Sequence, residues 1–161
     1  MNEKEIEQKM HEFANLINKE FNDIKYLAEA MKAKKIKRKV YTNENLAFVG
    51  DAILKFVLAD TLYEDNKKHN KGKMKGDLTK DKEKLENSAV LYRVMKNSGW
   101  CQYCNNGEEF YDINKKDNVV VFKKHDPYVE AIIAAIYYDS GYESARKWIL
   151  EILKPLLEKY K

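Results

Sequence analysis

The chain has 161 residues, 44% of them hydrophobic and 12% aromatic, which fits one packed globular domain and excludes both a pair of domains and a disordered chain. Two prolines and six glycines favour long helices over a strand-rich sandwich with many turns. The formal net charge of +4 is a mild excess that does not by itself require a polyanionic partner.

The first part of the chain has apolar residues at helical spacing, which predicts amphipathic helices over residues 3–19 and 23–33. Asp23 is a candidate cap for the second helix. The run from Lys32 to Lys39 then carries six positive charges and no acid. We interpret this basic run as a solvated loop, although basic side chains of this kind also bind phosphates.

The strongest pattern in the sequence runs from Thr42 to about Asp65, where apolar side chains occupy nearly the whole circumference of the predicted helix. Thr42 or Asn43 is suited to cap this helix. A helix that is apolar nearly all round is buried, so we expect it at the centre of the domain. A loop over 66–76 separates it from two shorter helices, about 77–85 and 87–97.

The helical rhythm breaks between residues 105 and 125. The β-branched segment 119–122 is typical of a strand and is compatible with a short hairpin that pairs it with 108–113, within the range 108–123.

Helices are predicted again in the last part of the chain. Asp126 and Pro127 are typical of an N-cap and a first helical position, and they predict a helix that extends to Tyr138. A final helix over about 142–158 contains Pro155, which predicts a kink or an early end.

Acidic residues lie on two of these apolar helices. Asp51 is in the middle of the central helix, where a carboxylate is costly unless it is paired, hydrogen-bonded or bound to a cation. Glu44 lies two turns earlier on the same face, and Glu130 lies on the later helix with Asp126 one turn before it. If the two helices pack together, these acids form a cluster suited to Mg²⁺, with Mn²⁺ as a substitute. Such a metal site permits hydrolysis of a phosphodiester.

Three of these acids also have a simpler interpretation. Asp51 can pair with Lys55 at i+4, and Glu44 can complement the helix dipole in the first turn. Asp126, which precedes a proline, can be an N-cap.

The two cysteines, Cys101 and Cys104, form a Trp-Cys-x-x-Cys segment. Such a segment is found in redox proteins, and two copies across a dimer would supply four thiolates for zinc. No strand-rich context surrounds it and the three histidines lack ligand spacing, so an ordinary loop is the favoured interpretation.

Four segments, in the same order, resemble the ribonuclease III family. Residues 43–54 read Asn-Glu-Asn-Leu-Ala-Phe-Val-Gly-Asp-Ala-Ile-Leu and are similar to the family signature N-E-R-L-E-F-L-G-D-A-V-L. Residues 76–91 resemble its G-x-L-(T/S) helix pair, 130–137 resemble E-A-L-I-G-A-I-Y, and 139–141 match D-x-G. The resemblance spans about 21–152, and four ordered matches are more specific than one short pattern.

The resemblance implies an all-α, ribonuclease III-type endonuclease domain that forms a homodimer through the helix of residues 43–63 and cuts double-stranded or structured RNA with Mg²⁺. By position, Asp51 and Glu130 match two metal-site acids and are the implied catalytic residues. Glu44 matches the acid that opens the signature, and Asp126 is a displaced fourth metal ligand.

Two positions depart from the family pattern: Ala47 stands where the signature has glutamate, and Pro127 stands where aspartate is usual. The compact Mini-III branch, whose members trim ribosomal RNA precursors, looks similar at both positions and lacks a separate double-stranded RNA-binding domain. We therefore expect one domain over 1–161, with an N-terminal helix over 1–20, that leaves 3′-hydroxyl and 5′-phosphate ends. A non-catalytic RNA-binding or ribosome-associated protein of this fold is the alternative.

Basic side chains are the candidates for phosphate contacts. They are Lys34, Lys35, Lys37, Arg38, Lys80, Lys82 and Lys84. The chain lacks both the apolar run of a secretory signal and any apolar stretch near the roughly 20 residues that cross a bilayer. We therefore expect a cytoplasmic protein with no membrane partner.

Overall fold

The computed structural model describes residues 1–33, 43–116, 120 and 122–161, together with the backbone of residue pairs 35–36 and 39–40. The elements are α1 (Glu3–Leu16), α2 (Lys25–Met31), β1 (Lys35–Ile36), β2 (Lys39–Val40), α3 (Glu44–Lys68), α4 (Lys75–Glu86), α5 (Ser88–Asn97), α6 (Tyr128–Ser140), α7 (Tyr142–Trp148) and α8 (Lys154–Tyr160). A 3₁₀ turn (Trp100–Tyr103) follows α5 and a π-helical segment (Ile149–Leu153) joins α7 to α8. The expected all-α fold is confirmed.

Helices α3 and α6 make the most extensive contact between elements, and α6 also packs against α2 and α7. Nearly every side chain of α6 from Tyr128 to Ile136 is buried, with Glu130 the partial exception. Burial of this many apolar side chains is the main stabilising contribution to the fold. The fold is therefore organised around α6, and α3 lies directly against it.

The side chain of Asn43, just before α3, hydrogen-bonds to the backbone of α2. Asn43 occupies the N-cap position but makes no capping hydrogen bond with its side chain. Its Nδ2 instead donates to the carbonyl oxygen of Ala30, at 3.0 Å. Capping by Asn43 is thus a wrong prediction, because the amide satisfies the end of α2; Thr42, the other candidate, lies outside the described residues.

The prediction of a loop over the basic run is wrong in part. Lys35–Ile36 pairs with Lys39–Val40 in an antiparallel ladder, with Ile36 opposite Lys39. The β-branched residues Ile36 and Val40 favour extended backbone. The other predicted hairpin falls partly on 117–119 and 121, which lie outside the described residues, and within the described part Phe110 bridges Asn105 instead.

Pro155 does not end the last helix early, since α8 continues to Tyr160; a π-helical segment precedes the proline instead. Proline has no N–H, so the carbonyl of Glu151 loses the partner it would have in an α-helix. The chain accommodates this loss with the π-helical segment, in which the N–H of Lys154 bonds to the carbonyl of Ile149. Among the described helices, none is long and apolar enough to cross a membrane.

Candidate active site

Gly50 is the point of closest approach between α3 and α6. A Cβ atom built at Gly50 would lie 1.6 Å from the carbonyl oxygen of Glu130, so only a residue without a side chain fits there. One turn earlier, Ala47 is buried against small side chains of α6: Ala131, Ala134 and Ala135. This contact places Asp51, the residue after Gly50, beside the first turn of α6.

The side chain of Glu130 is largely buried, with its Oε2 inaccessible to solvent. Its Oε2 has no hydrogen-bond partner among the described residues, which is rare for a buried oxygen. Burial raises the pKa of Glu130 to about 7; its own backbone N–H opposes this shift, and the negative charge of Asp51 adds to it. A cation at Glu130 would offset the cost of its burial.

Asp51 lies at the solvent edge of this contact. Its side chain is 46% exposed, and Oδ2 lies 3.2 Å from Nζ of Lys55. The expectation of a fully buried central helix is therefore wrong in part, because α3 turns one face to α6 and another to the outside. On that outer face Phe48 is 81% exposed and Phe56 is 57% exposed.

Glu86, at the end of α4, is a nearby acid that the sequence did not single out. Its side chain is 11% exposed, Oε1 lies 3.3 Å from Nζ of Lys82, and Oε2 is buried with no hydrogen-bond partner in the described part of the chain. The pKa of Lys55 is raised, first by the hydrogen bond and charge of Asp51 and then by the charges of Glu86 and Glu130. The Lys55 ammonium thus contacts Asp51 and feels the charges of two more distant acids.

Glu44 and Asp126 are placed differently from Asp51 and Glu130. Glu44 is exposed in the first turn of α3. Asp126 accepts a hydrogen bond at Oδ2 from the backbone N–H of Lys123, at 2.6 Å, and Pro127 takes the N-cap position of α6. The N-cap prediction for Asp126 is wrong, because its side chain turns back toward Lys123.

Across residues 1–33, 43–116, 120 and 122–161, no group of three or more Asp, Glu, His or Cys side chains is close enough to share a metal ion. The structure brings Asp51 and Glu130 within electrostatic reach of each other. Two carboxylates, one with a buried unpartnered oxygen, fit a hard cation such as Mg²⁺, which is commonly held by one or two protein carboxylates plus water and substrate phosphate.

The candidate RNA-binding residues on α4 face in two directions. Lys80 and Lys84 are exposed one turn apart, whereas Lys82 is half-buried and paired with Glu86. The remaining candidates lie outside the described residues, except that the backbone of Lys35 is described. These are Lys34, Lys35, Lys37 and Arg38.

Cys101 and Cys104 are buried core residues in and after the 3₁₀ turn. Burial raises the pKa of both thiols, and Cys104 hydrogen-bonds to Tyr128. A zinc site shared between two chains needs thiolates at the surface, and a redox thiol needs a low pKa. The packing of both cysteines contradicts those two interpretations.

A family model described as Ribonuclease-III-like matches residues 12–156. Among curated relatives, the Ribonuclease 3 of Clostridium kluyveri is 31% identical over 153 residues, which cover 92% of this chain and 59% of that protein. The Ribonuclease 3 of Colwellia psychrerythraea is 33% identical over 145 residues, which cover 87% of this chain and 50% of that protein. The chain thus spans about half to three-fifths of the length of these relatives.

Solved structures agree with these sequence matches. Two structures of the nuclease domain of ribonuclease III from Campylobacter jejuni superpose with TM-scores of 0.68 and 0.66, at 26% and 27% identity. They cover 94% and 92% of this chain, and the matches cover 97% and 93% of those domains. The first of these two structures shows structural flexibility in the region involved in dimer formation of that nuclease domain.

Proposed function

Because the chain belongs to the ribonuclease III-like family, we propose that it is an endoribonuclease that hydrolyses double-stranded or structured RNA with Mg²⁺. The observation that carries this proposal is the pairing of Asp51 with Glu130 across α3 and α6, where Glu130 presents a buried oxygen without a partner. Precursors of ribosomal RNA, in the cytoplasm, are the substrates we propose.

Asp51 and Glu130 would hold the cation between them. When bound, Mg²⁺ or Mn²⁺ supplies a water of lowered pKa and neutralises charge that develops on the phosphate. Glu130 would bind the cation from the buried side of the site. Asp51, which is half exposed, would bind it from the solvent side, where RNA would approach. We also propose supporting roles for Glu44 and Asp126 at longer range, through water.

Phosphate contacts would come from the exposed lysines of α4, Lys80 and Lys84, because cations that neutralise backbone phosphates supply sequence-independent affinity. Lys82 is less suited to this role, since its ammonium is paired with Glu86. Lys34, Lys35, Lys37 and Arg38 remain candidates for the same role.

A non-catalytic RNA-binding protein of this fold is the second candidate. Ala47 is buried in an apolar cluster, so that position lacks the acid of the family signature. Pro127 likewise replaces a usual acid. With fewer carboxylates available, the site would bind a cation more weakly.

Cleavage of double-stranded RNA in Mg²⁺ distinguishes the two candidates. We expect the wild-type protein to cut the RNA in Mg²⁺ and not in EDTA, and Asp51→Asn to cut roughly 10³-fold more slowly while it still binds RNA. Gel analysis of end-labelled RNA measures both. RNA that is bound but not cut in Mg²⁺ or Mn²⁺ would support the non-catalytic alternative. Cleavage that survives Asp51→Asn would point to a contaminant or another site.

The outer face of α3 supports a homodimer through residues 43–63. Five exposed side chains form an apolar stripe along the helix: Phe48, Ala52, Phe56, Ala59 and Tyr63. Contiguous exposed apolar surface of this kind marks interaction sites. A two-fold dimer would bury the stripe against its own copy.

Phe48→Glu tests this dimer. We expect at least about a 100-fold weaker dimer, because two phenylalanines lose their burial and two charges enter the interface. Sedimentation velocity over a concentration series measures the effect. Leu16→Glu, at an exposed apolar position on α1, is the matched control and should leave the dimer intact. A wild-type protein that stays monomeric at tens of micromolar would refute the dimer.

A further inference from the structure

Lys55 pairs with Asp51 and lies within electrostatic reach of acids on two other helices. Its Nζ is 3.2 Å from Oδ2 of Asp51 on α3, and its charge also interacts with Glu86 on α4 and Glu130 on α6. The side chain is 51% exposed, and a lysine carries its ammonium on a flexible four-carbon stem. The ammonium therefore has both a present partner and the freedom to change partners.

Glu86 provides a second place for that ammonium. One of its oxygens contacts Lys82, whereas Oε2 is buried and has no hydrogen-bond partner among the residues described. An unpartnered carboxylate oxygen in a buried position is costly, and a cation that moves to it lowers that cost. Glu86 is thus suited to receive Lys55 when Asp51 is otherwise engaged.

A divalent cation at Asp51 and Glu130 would compete directly with Lys55. The cation needs the carboxylate that Lys55 already contacts, and two like charges at such short range repel each other strongly. The metal would therefore bind more weakly while the ammonium stays at Asp51.

We propose that Lys55 is a displaceable counter-ion that regulates metal loading: it neutralises Asp51 in the metal-free protein and moves to Glu86 when a divalent cation binds. This inference rests on the proposed metal site at Asp51 and Glu130. Lys55 and Glu86 are positioning residues here, because they act on the site through Asp51.

Mn²⁺ binding to the full chain without RNA, followed by isothermal titration calorimetry, tests the inference. We expect Lys55→Gln to bind Mn²⁺ roughly 10-fold more tightly than wild type, because the competing charge is gone. Lys55→Arg should stay close to wild type, since it keeps the charge. Lys67→Gln, which removes an exposed charge near the far end of α3, is the matched control and should change the affinity less than about twofold.

Glu86→Gln is expected to act in the opposite direction. With no second partner for Lys55, the variant should bind Mn²⁺ roughly threefold more weakly. In the Lys55→Gln background the same change should have little effect, because Glu86 acts through Lys55. An equally large effect in both backgrounds would overturn the role of Glu86 as receiver.

Two further outcomes separate this inference from the proposed function. If wild type binds Mn²⁺ and Lys55→Gln binds it with equal or lower affinity, the counter-ion role is overturned while the metal site stands. If neither protein binds Mn²⁺, and circular dichroism shows both folded, the proposed metal site and the inference fail together.

Discussion

Glu130→Gln is expected to lower the rate of RNA cleavage by a factor on the order of 10³ or more, because an amide cannot supply the negative charge that holds the catalytic cation. Single-turnover cleavage of labelled double-stranded RNA measures the rate. Glu143→Gln, an exposed change of the same kind on α7, should leave the rate unchanged. Wild-type activity in Glu130→Gln would place the metal site elsewhere.

The same substitution is expected to stabilise the metal-free protein at alkaline pH. The pKa of Glu130 is about 7 in the folded chain against an ordinary value of 4.5, so below pH 4.5 the carboxyl is neutral in both states and costs nothing. Between pH 4.5 and 7 the unfolded chain loses the carboxyl proton while the folded chain keeps it, so the free energy of unfolding falls by about 3 kcal/mol in total and stays constant above pH 7. Glutamine removes this loss.

Urea unfolding in EDTA at pH 5 and pH 8 measures that effect. The wild type should lose more stability between the two values than Glu130→Gln does, by about 2.5 kcal/mol. Identical pH dependence in both proteins would show that Glu130 titrates normally. Taken with the loss of cleavage, the expected result means that the carboxylate is retained for its activity at a cost in stability.

Gly50→Ala is expected to destabilise the fold by at least about 3 kcal/mol, because the added methyl group would overlap a backbone carbonyl of α6 that cannot move alone. For a domain of this size the midpoint of thermal unfolding should fall by about 6–12 °C. Gly76→Ala is the matched control. A Cβ at Gly76, near the start of α4, meets nothing within 4 Å, and that variant should be as stable as wild type or slightly more so.

Gly50→Ala should also impair cleavage at temperatures where the variant remains folded. Separation of α3 from α6 moves Asp51 away from Glu130, and small displacements of catalytic groups are costly. Cleavage at 15 °C, with folding verified by circular dichroism, measures this effect. A folded variant with normal activity would show that the site tolerates a wider spacing.

The sequence predicted the helices well but not which of their faces are covered. The period of apolar residues located α3 and α6, and the acids on them indicated a paired site. Burial was predicted for Asp51, whereas Asp51 is half exposed and Glu130 is the more buried carboxyl. Apolar side chains at helical spacing pack in the core or form an exposed interaction surface. The periodicity of the sequence does not distinguish these two environments.

Glu86 could not be found from the sequence. It is the last residue of a helix whose other charges are exposed or paired, and only the packing of α4 buries one of its carboxylate oxygens. Asp126 shows the converse. Its position before a proline predicted an N-cap, but its carboxylate accepts a hydrogen bond from the backbone N–H of Lys123 instead.

If Asp51 and Glu130 hold a cation as proposed, the backbone contact at Gly50 would also limit which ions the site can select. Two carboxylates anchored on helices that touch backbone to backbone have little freedom to spread apart. A rigid pair suits a small cation with short oxygen distances, such as Mg²⁺ or Mn²⁺, better than Ca²⁺, which needs more ligands at longer distances. A glycine that lacks any functional group would in this way act as a size filter for the metal.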